Sequence, residues 1–279
     1  MARVKTWAFT RYGRQSRAGR QNIYRFTLLM FCATINEMRT LVFSDIHANL
    51  TALEAVLTSA GQIDAAWCLG DLVGYGPDPN ECIQRVNELP NLKCVLGNHD
   101  AAALEQIDSA TFNPEARQAL HWTQNTLSEF SLTFLKHLPE RIDLEEVTLV
   151  HGSPRQPVWE YLLDTYNATR CFDFFQSLHC FVGHTHLPII YHLQSEHSLA
   201  RLILPEANSQ TSLEPRMIIN PGSVGQPRDR DPRAAYAIFD PDQFTCSFHR
   251  VEYEVSTVQQ RMKVLGLPDR HIQRLTLGW

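Results

Sequence analysis

Short apolar runs separated by amphipathic segments fill the first two thirds of the chain. Five of these runs are apolar almost throughout and do not alternate with polar residues, which is typical of strands buried on both faces. These predicted strands cover residues 40–43, 65–69, 93–96, 147–150 and 180–182. Apolar residues at helical spacing predict helices over 49–60 and 80–89. The alternation of strand and helix favours parallel strand pairing in an α/β fold.

The remaining segments predict additions to this α/β layer. Regions near 101–140 and 156–179 are interpreted as helical insertions that border the site. After residue 186, five more runs bounded by turn-forming residues predict a second, more antiparallel sheet packed on the first. They cover 189–193, 200–204, 216–219, 234–239 and 245–251. One or two surface helices are predicted over 254–275, with an interruption at 266–268.

Each of the five buried runs ends on residues of types that commonly bind metals. The terminal segments are Ser44-Asp45-Ile46-His47, Gly70-Asp71, Gly97-Asn98-His99-Asp100, His151-Gly152 and Gly183-His184-Thr185-His186. Ligands of open α/β sheets bind beyond the carboxyl ends of the strands, so we expect these side chains to meet in one crevice. In the first and last segments the two ligands are two residues apart, which directs both side chains of an extended chain to one face.

The donor types indicate a chemistry. Mixed carboxylate, imidazole and amide donors suit Mn, Fe, Zn, Co or Ni better than Mg or Ca. Two such ions about 3.5–4 Å apart form a clamp for in-line displacement at phosphorus. A hydroxide between them would be the nucleophile, since metal binding lowers the pKa of water from 15.7 to about 7. We therefore expect two divalent metal ions, with manganese as the first choice.

The order of these motifs closely resembles the calcineurin-like metallophosphoesterase superfamily, whose pattern is D-x-H, G-D, G-N-H-D/E, H and G-H-x-H. All five elements are intact between Asp45 and His186. Segments 70–77, 151–155 and 220–228 resemble the small prokaryotic, phosphodiesterase-like branch and extend the likeness over roughly 38–279. The resemblance implies an α/β fold built as a four-layer αββα sandwich, in which two mixed β-sheets are flanked by helices.

The resemblance also implies a role for each motif residue. One metal would be held by Asp45, His47, Asp71 and His186. The other would be held by Asp71, Asn98, His151 and His184, so that Asp71 bridges both. His99 would stabilise the phosphoryl oxygens or protonate the leaving group, a contribution of about 10²–10⁴-fold. Arg155 and Arg228 are candidate substrate-binding residues, and Asp100 either caps a helix or supports the ligands.

One departure separates this chain from the Ser/Thr protein phosphatases of the superfamily. Those enzymes carry an Asp-Arg pair shortly after G-D, where this chain has Gly74 and Tyr75. The Asp that supports their catalytic histidine and the Arg that grips phosphate are both absent. This difference argues against a protein phosphatase.

The charge distribution limits the range of partners. Residues 1–37 carry seven basic residues and one acid, whereas 38–279 carry 18 basic and 29 acidic residues. An acidic body argues against broad nucleic-acid binding, which needs many Lys and Arg on one face. No stretch approaches the roughly 20 apolar residues of a membrane helix. We expect a small phosphorylated substrate and no membrane association.

The first 37 residues are interpreted as a basic N-terminal extension, disordered or artefactual, ahead of a single metallophosphoesterase domain at 38–279. A targeting peptide and a secretory signal are the alternatives. The chain has seven cysteines and no C-x-x-C pair. Three of them, Cys68, Cys94 and Cys180, lie in predicted buried strands, which fits a reducing, cytoplasmic location.

The sequence thus predicts a dinuclear metal-dependent phosphoesterase that hydrolyses a phosphodiester or small phosphorylated metabolite. Two alternatives remain open: a nuclease acting on short oligonucleotides, and a metal-bound scaffold without turnover. The histidines outside the motifs are interpreted as structural or surface residues; they are His121, His137, His179, His192, His197, His249 and His271.

Overall fold

The computed structural model describes residues 38–279. The predicted N-terminal extension lies outside these residues, and the domain boundaries stay predictions. The described strands are β1 (Thr40–Phe43), β2 (Ala65–Cys68), β3 (Lys93–Cys94), β4 (Arg141–Asp143), β5 (Val147–Val150), β6 (His179–Phe181), β7 (Pro188–His192), β8 (Arg201–Ile203), β9 (Ser209–Ser212), β10 (Met217–Pro221), β11 (Ala234–Asp240) and β12 (Thr245–Val251). The helices are α1 (Leu50–Ala60), α2 (Pro79–Asn87), α3 (Asn98–Ala103), α4 (Pro114–Thr126), α5 (Glu129–Lys136), α6 (Thr165–Cys171), α7 (Val255–Val264) and α8 (Asp269–Leu277).

The strands form two six-stranded mixed sheets. The first has the order β3-β2-β1-β11-β12-β9, and the second has the order β4-β5-β6-β10-β7-β8. In the first sheet β1, β2 and β3 are parallel, and β11 joins β1 in antiparallel register with Val42 opposite Ala237. In the second sheet β5, β6 and β10 are parallel, and β7 is antiparallel to β10.

The allocation of strands to sheets corrects the sequence-based expectation. The five strands that precede the ligand motifs do not share one sheet, because β1, β2 and β3 lie in the first and β5 and β6 in the second. The strands after residue 186 are also divided instead of forming a sheet of their own. Strand β11 is buried at all seven positions, so it lies in the middle of the first sheet.

Apolar side chains fill the space between the two sheets. The ring of Trp67 in the first sheet lies 5.7 Å from Phe181 in the second and 5.4 Å from Phe239. Leu53 and Ile83 of α1 and α2 pack in a separate cluster on the outer face of the first sheet. Residues of α6 pack with Tyr191 on the outer face of the second sheet. The predicted four-layer arrangement of helix, sheet, sheet and helix is confirmed.

Local signals placed the first two helices within two residues of their observed bounds. The side chain of Asn49 accepts a hydrogen bond from the Ala52 amide at 3.1 Å and so caps α1. Asn113 caps α4 in the same way. Helix α2 begins at Pro79 after Asp78, one residue earlier than predicted, since proline suits the first helical position.

Two further features bear on the expected environment of the protein. No helix within 38–279 is long and apolar enough to cross a membrane. The six cysteines in this range are free thiols, and all are buried. Burial raises the pKa of the Cys94 and Cys180 thiols, which therefore behave as small apolar groups. The cytoplasmic location stays a prediction.

Candidate metal centre

All seven predicted metal ligands converge beside the carboxyl ends of the strands, together with His99. Their side chains are almost fully buried. The first sheet supplies those that follow β1 and β2 and the first residue of α3, and the second sheet supplies those that follow β5 and β6. The crevice therefore lies where the edges of two sheets meet.

One group of donors comprises Asp45, His47 and His186. The Nε2 atom of His186 lies 3.2 Å from Oδ1 of Asp45 and 3.1 Å from Nε2 of His47. The other carboxylate oxygen of Asp45 accepts a hydrogen bond from the His184 backbone amide at 3.1 Å, which fixes the carboxylate between the two sheets.

A second group comprises Asp71, His151 and His184, with Asn98 beside them. Nε2 of His151 lies 3.3 Å from Oδ2 of Asp71, 3.0 Å from Oδ1 of Asn98 and 3.1 Å from Nδ1 of His184. Four potential ligand atoms thus surround one small volume.

Asp71 belongs to both surroundings. Its Oδ2 atom is 3.3 Å from the His151 Nε2 and 3.7 Å from the His47 Nε2. Its Oδ1 atom accepts a hydrogen bond from the His99 backbone amide at 2.8 Å, so the carboxylate is held in a fixed orientation. This position is the one expected of a bridging ligand.

Backbone carbonyls fix which nitrogen of each histidine faces the centre. Nδ1 of His47, His151 and His186 lies 3.1, 2.7 and 2.5 Å from the carbonyl oxygens of Val73, Leu69 and Gln226. Each Nδ1–H therefore donates outward, and each Nε2 presents a lone pair inward. Lone pairs that face each other at 3.1 Å repel unless a cation lies between them.

Unpaired buried atoms lead to the same conclusion. Oδ1 of Asp45 and Oδ2 of Asp71 are enclosed and have no hydrogen-bond partner among residues 38–279. Buried polar atoms are normally paired, and exceptions often mark an ion site. Mixed nitrogen and oxygen donors suit a transition-metal dication. The residues present therefore fit bound divalent metal.

The charges within the centre reinforce each other. Burial opposes ionisation of Asp45 and Asp71, but the neighbouring histidines outweigh it and lower the pKa of both carboxyls. Burial also opposes charge on His151, yet the Asp71 and Asp45 carboxylates raise its pKa to about 9. The carboxylates therefore favour positive charge at this point of the centre.

The ligand backbone adopts an uncommon conformation. Five of the seven predicted ligands have positive φ angles. The values are 55° at Asp45, 47° at His47, 54° at Asp71, 65° at His184 and 61° at His186. This left-handed region costs an L-residue about 1–2 kcal/mol. Such strain commonly occurs at functional sites, where the surrounding structure holds it in place.

Comparison with known proteins agrees with this geometry. Residues 38–243 match the profile of the calcineurin-like phosphoesterase superfamily domain. The chain belongs to this superfamily. It is therefore a hydrolase of phosphoesters, in a superfamily whose members depend on metal.

Several relatives resemble this phosphoesterase over different lengths. An uncharacterized protein of Methanocaldococcus jannaschii is 38% identical over 244 residues, which cover 85% of this chain and 97% of that protein. The crystal structure of a metallophosphoesterase from Sphaerobacter thermophilus has a TM-score of 0.81 and 46% identity, covering 88% of this chain and all of that one. A symmetrical bis(5'-nucleosyl)-tetraphosphatase of Photorhabdus laumondii is 33% identical over 101 residues, only 30% of this chain and 37% of that enzyme.

His99 lies next to the predicted metal ligands of the phosphoesterase. Its ring centroid is 4.9 Å from that of His47 and 4.4 Å from that of Tyr75, and its Nδ1 is buried without a partner. Burial lowers the pKa of His99 to about 4, although Asp71 acts in the opposite direction. A donor atom of His99 also groups with His47 and Asp71. Its assignment as a catalytic residue and not a ligand stays a prediction.

Gly74 has no side chain, and the His99 ring occupies the space that a side chain at position 74 would fill. Gly74 has φ of +91°, and a Cβ atom there would lie 2.5 Å from the His99 Nδ1. We expect Gly74→Ala to displace the imidazole and lower kcat by about 10²-fold, because misplacement by about 1 Å can cost this much. Hydrolysis of a chromogenic phosphoester measures the loss.

Gly61→Ala is the matched control for this substitution. Gly61 also has positive φ, +67°, but nothing lies within 4 Å of a Cβ built there. Both variants should lose about 1–2 kcal/mol of unfolding free energy from the backbone conformation. Equal activity in the two variants would contradict the displacement of His99.

Asp100 acts as a helix cap. As the third residue of α3, it accepts a hydrogen bond through Oδ2 from the Gly97 amide and one through Oδ1 from the Val73 amide, both at 3.1 Å. These bonds join the start of α3 to the loop that follows Asp71. The carboxylate therefore also supports the ligands indirectly.

The two candidate substrate arginines occupy different surroundings. The guanidinium of Arg155 forms two hydrogen bonds with the Glu160 carboxylate and lies 3.4 Å from the Asn167 side chain. Arg228 lies near the centre instead, with Nη2 3.3 Å from the side-chain oxygen of Gln226. Arg155 is thus paired with Glu160, whereas Arg228 has no carboxylate partner among residues 38–279.

Sequence reasoning missed Tyr161, which forms a wall of the centre. Its ring stacks on His184 with centroids 3.6 Å apart, and 46% of Tyr161 is exposed. The insertion predicted near 156–179 to border the site was the only signal for this residue. His271 is buried in α8, and its ring centroid lies 4.4 Å from that of Tyr75, in keeping with its interpretation as structural or surface.

Proposed function

We propose that this chain is a dinuclear metal-dependent phosphoesterase that hydrolyses a phosphodiester or a small phosphorylated metabolite. The observation that carries the proposal is the shared carboxylate of Asp71. Asp71 groups with His151 and His184, and its Oδ2 atom, unpaired among residues 38–279, also lies 3.7 Å from Nε2 of His47, a member of the group with Asp45 and His186. A single metal would leave one set of inward-facing imidazole lone pairs unsatisfied.

The assignment of residues follows from this geometry. Asp45, His47 and His186 would hold one ion, and His151, His184 and Asn98 the other. When bound, two divalent ions would activate water as a nucleophile and polarise the phosphoryl oxygens. The identity of the metals is open among Mn, Fe, Zn, Co and Ni, and manganese remains our first choice.

The protein's own groups supply the remaining steps. With its lowered pKa, His99 is neutral near pH 7 and is positioned to hydrogen-bond a phosphoryl oxygen. Proton donation to the leaving oxygen would require the bound phosphate to raise that pKa. The buried walls around it, formed by Tyr75 and Phe112, exclude water and strengthen these electrostatic interactions. The tetraphosphatase likeness, although it covers only part of each chain, supports a phosphorylated small molecule as substrate.

The proposal is tested with two chromogenic substrates. The full chain is stripped with a chelator, and hydrolysis of bis(p-nitrophenyl) phosphate and p-nitrophenyl phosphate is measured before and after addition of Mn²⁺, Zn²⁺, Co²⁺ or Ni²⁺. We expect no activity in the stripped protein, restored activity with at least one metal, and two bound ions per chain by elemental analysis.

The two substrates distinguish the possible ester classes. A higher kcat/KM for the diester than for the monoester would indicate a phosphodiesterase. No cleavage of either substrate by protein that holds two ions would contradict the proposed activity and favour the non-catalytic scaffold.

A further inference from the structure

Two arginines from distant parts of the chain converge on one buried amide beside the metal centre. Nη2 of Arg228 and Nη1 of Arg274 lie 3.3 and 3.5 Å from the same side-chain oxygen of Gln226. Gln226 is only 2% exposed. Arg228 lies in the loop after β10, whereas Arg274 is in the C-terminal helix α8.

This pair is directly connected to a predicted metal ligand. Nδ1 of His186 donates a hydrogen bond to the backbone oxygen of Gln226 at 2.5 Å. Burial lowers the pKa of His186, and the positive charge of Arg228 lowers it further. Burial has the largest effect on the pKa of His99 and lowers it, and Asp71 raises it. The charge of Arg228 lowers it further. The guanidinium of Arg228 is therefore close enough to His186 and His99 for its charge to lower the pKa of both.

Within residues 38–279, neither Arg228 nor Arg274 has a carboxylate partner, whereas Arg155 and Arg250 each form an ion pair. The Nε atoms of Arg228 and Arg274 are enclosed and have no hydrogen-bond partner in this part of the chain. Burial and the charge of Arg228 lower the pKa of Arg274, as expected of two cations held close together.

The positive charges of this arginine pair are not balanced by a nearby negative charge within residues 38–279. Like charges near each other repel, and unpaired buried donors are costly. An anion between the guanidinium groups would remove both costs, and guanidinium is well suited to phosphate oxygens. If the metal centre holds the phosphoryl group that reacts, the two arginines would face a neighbouring part of the substrate.

We propose that Arg228 and Arg274 form a subsite for a second phosphate, adjacent to the phosphoryl group that reacts. This inference rests on the proposed phosphoesterase function and narrows its substrate class. The preferred substrates carry at least two linked phosphates, as in nucleoside diphosphates, longer polyphosphate esters or dinucleoside polyphosphates.

The test compares AMP and ADP, which differ by one phosphate, as competitive inhibitors of bis(p-nitrophenyl) phosphate hydrolysis. In the Mn²⁺-loaded wild-type protein, we expect ADP to bind at least about tenfold more tightly than AMP. Arg274→Gln and Arg228→Gln should reduce this ratio toward one. Arg274→Lys should keep an intermediate ratio, because it keeps the charge and loses the paired donors.

Arg270→Gln is the matched control. Arg270 is on the same helix, 55% of its side chain is exposed, and it faces Glu115 at 3.9 Å. It should keep the wild-type ratio. An unchanged ratio in Arg274→Gln, or an equal fall in Arg270→Gln, would overturn the proposal. Circular dichroism confirms that each variant is folded.

A separate binding measurement distinguishes failure of this subsite from failure of the proposed function. If the wild-type protein does not hydrolyse the diester, calorimetric titration of AMP and ADP into the same proteins gives the same ratio directly. A preference for ADP that depends on Arg274 supports the subsite without turnover. Equal affinity for AMP and ADP in wild-type protein refutes it.

Discussion

Asp71→Ala is expected to reduce phosphoester hydrolysis by more than about 10³-fold, because it removes a carboxylate shared by both donor groups. Each metal interaction contributes several kcal/mol to transition-state stabilisation, and each 1.36 kcal/mol is a tenfold change in rate. The substitution also removes the acceptor that fixes the His99 amide. Kinetic assays with elemental analysis should therefore show losses of rate and of both metals.

A comparison with another aspartate isolates the effect of this position. Asp173→Ala makes the same change at an exposed position of a short 3₁₀ segment, Phe172–Phe174, and should preserve both metals. If Asp71→Ala loses only one metal, the bridging role is wrong. If it keeps both metals and full activity, the assigned centre is wrong as a whole.

His99→Ala is expected to keep both metals and lower kcat by about 10²–10⁴-fold, the usual contribution of a positioned acid or base. Its Nδ1 has no protein partner, and none of the backbone carbonyls that fix the other imidazoles holds it. The side chain is thus free to act on substrate. Single-turnover kinetics and metal content, measured on the same preparation, test both parts of this expectation.

The exposed His137 provides the corresponding control. His137→Ala removes an imidazole far from the motifs in sequence and should leave kcat unchanged. Full activity of His99→Ala would refute the catalytic role. Loss of one metal from His99→Ala would instead identify His99 as a ligand, in keeping with its grouping with His47 and Asp71.

The convergence of the candidate site residues could be predicted because they are coupled to local features of the sequence. Asp45, Asp71 and His151 each follow a short apolar strand, and the carboxyl ends of such strands are where α/β proteins bind ligands. The order of the motifs then identified the superfamily. The helix start at Asn49 was equally local, because capping depends on residues within one turn.

Strand pairing could not be predicted in the same way. Apolar runs report burial but not the identity of the neighbouring strand, so the division of the ligand strands between two sheets was missed. Strands β4 and β9 were missed because their sequences, Arg-Ile-Asp and Ser-Gln-Thr-Ser, are mostly polar edge strands. Arg274 approaches Gln226 beside the centre only through the packing of α8, which leaves no local pattern in the sequence.

At the predicted ligand positions with a left-handed backbone, substitutions that increase folding stability conflict with substitutions that preserve activity. Glycine would relax φ at Asp45, Asp71 or His184 without steric cost. Each such replacement would also remove a predicted metal ligand, so we expect it to be absent from relatives that hydrolyse phosphoesters. A descendant that no longer needed hydrolysis could accumulate these changes and become more stable as it lost function. Glycine at these positions in a relative would therefore indicate a protein that has lost phosphoesterase activity.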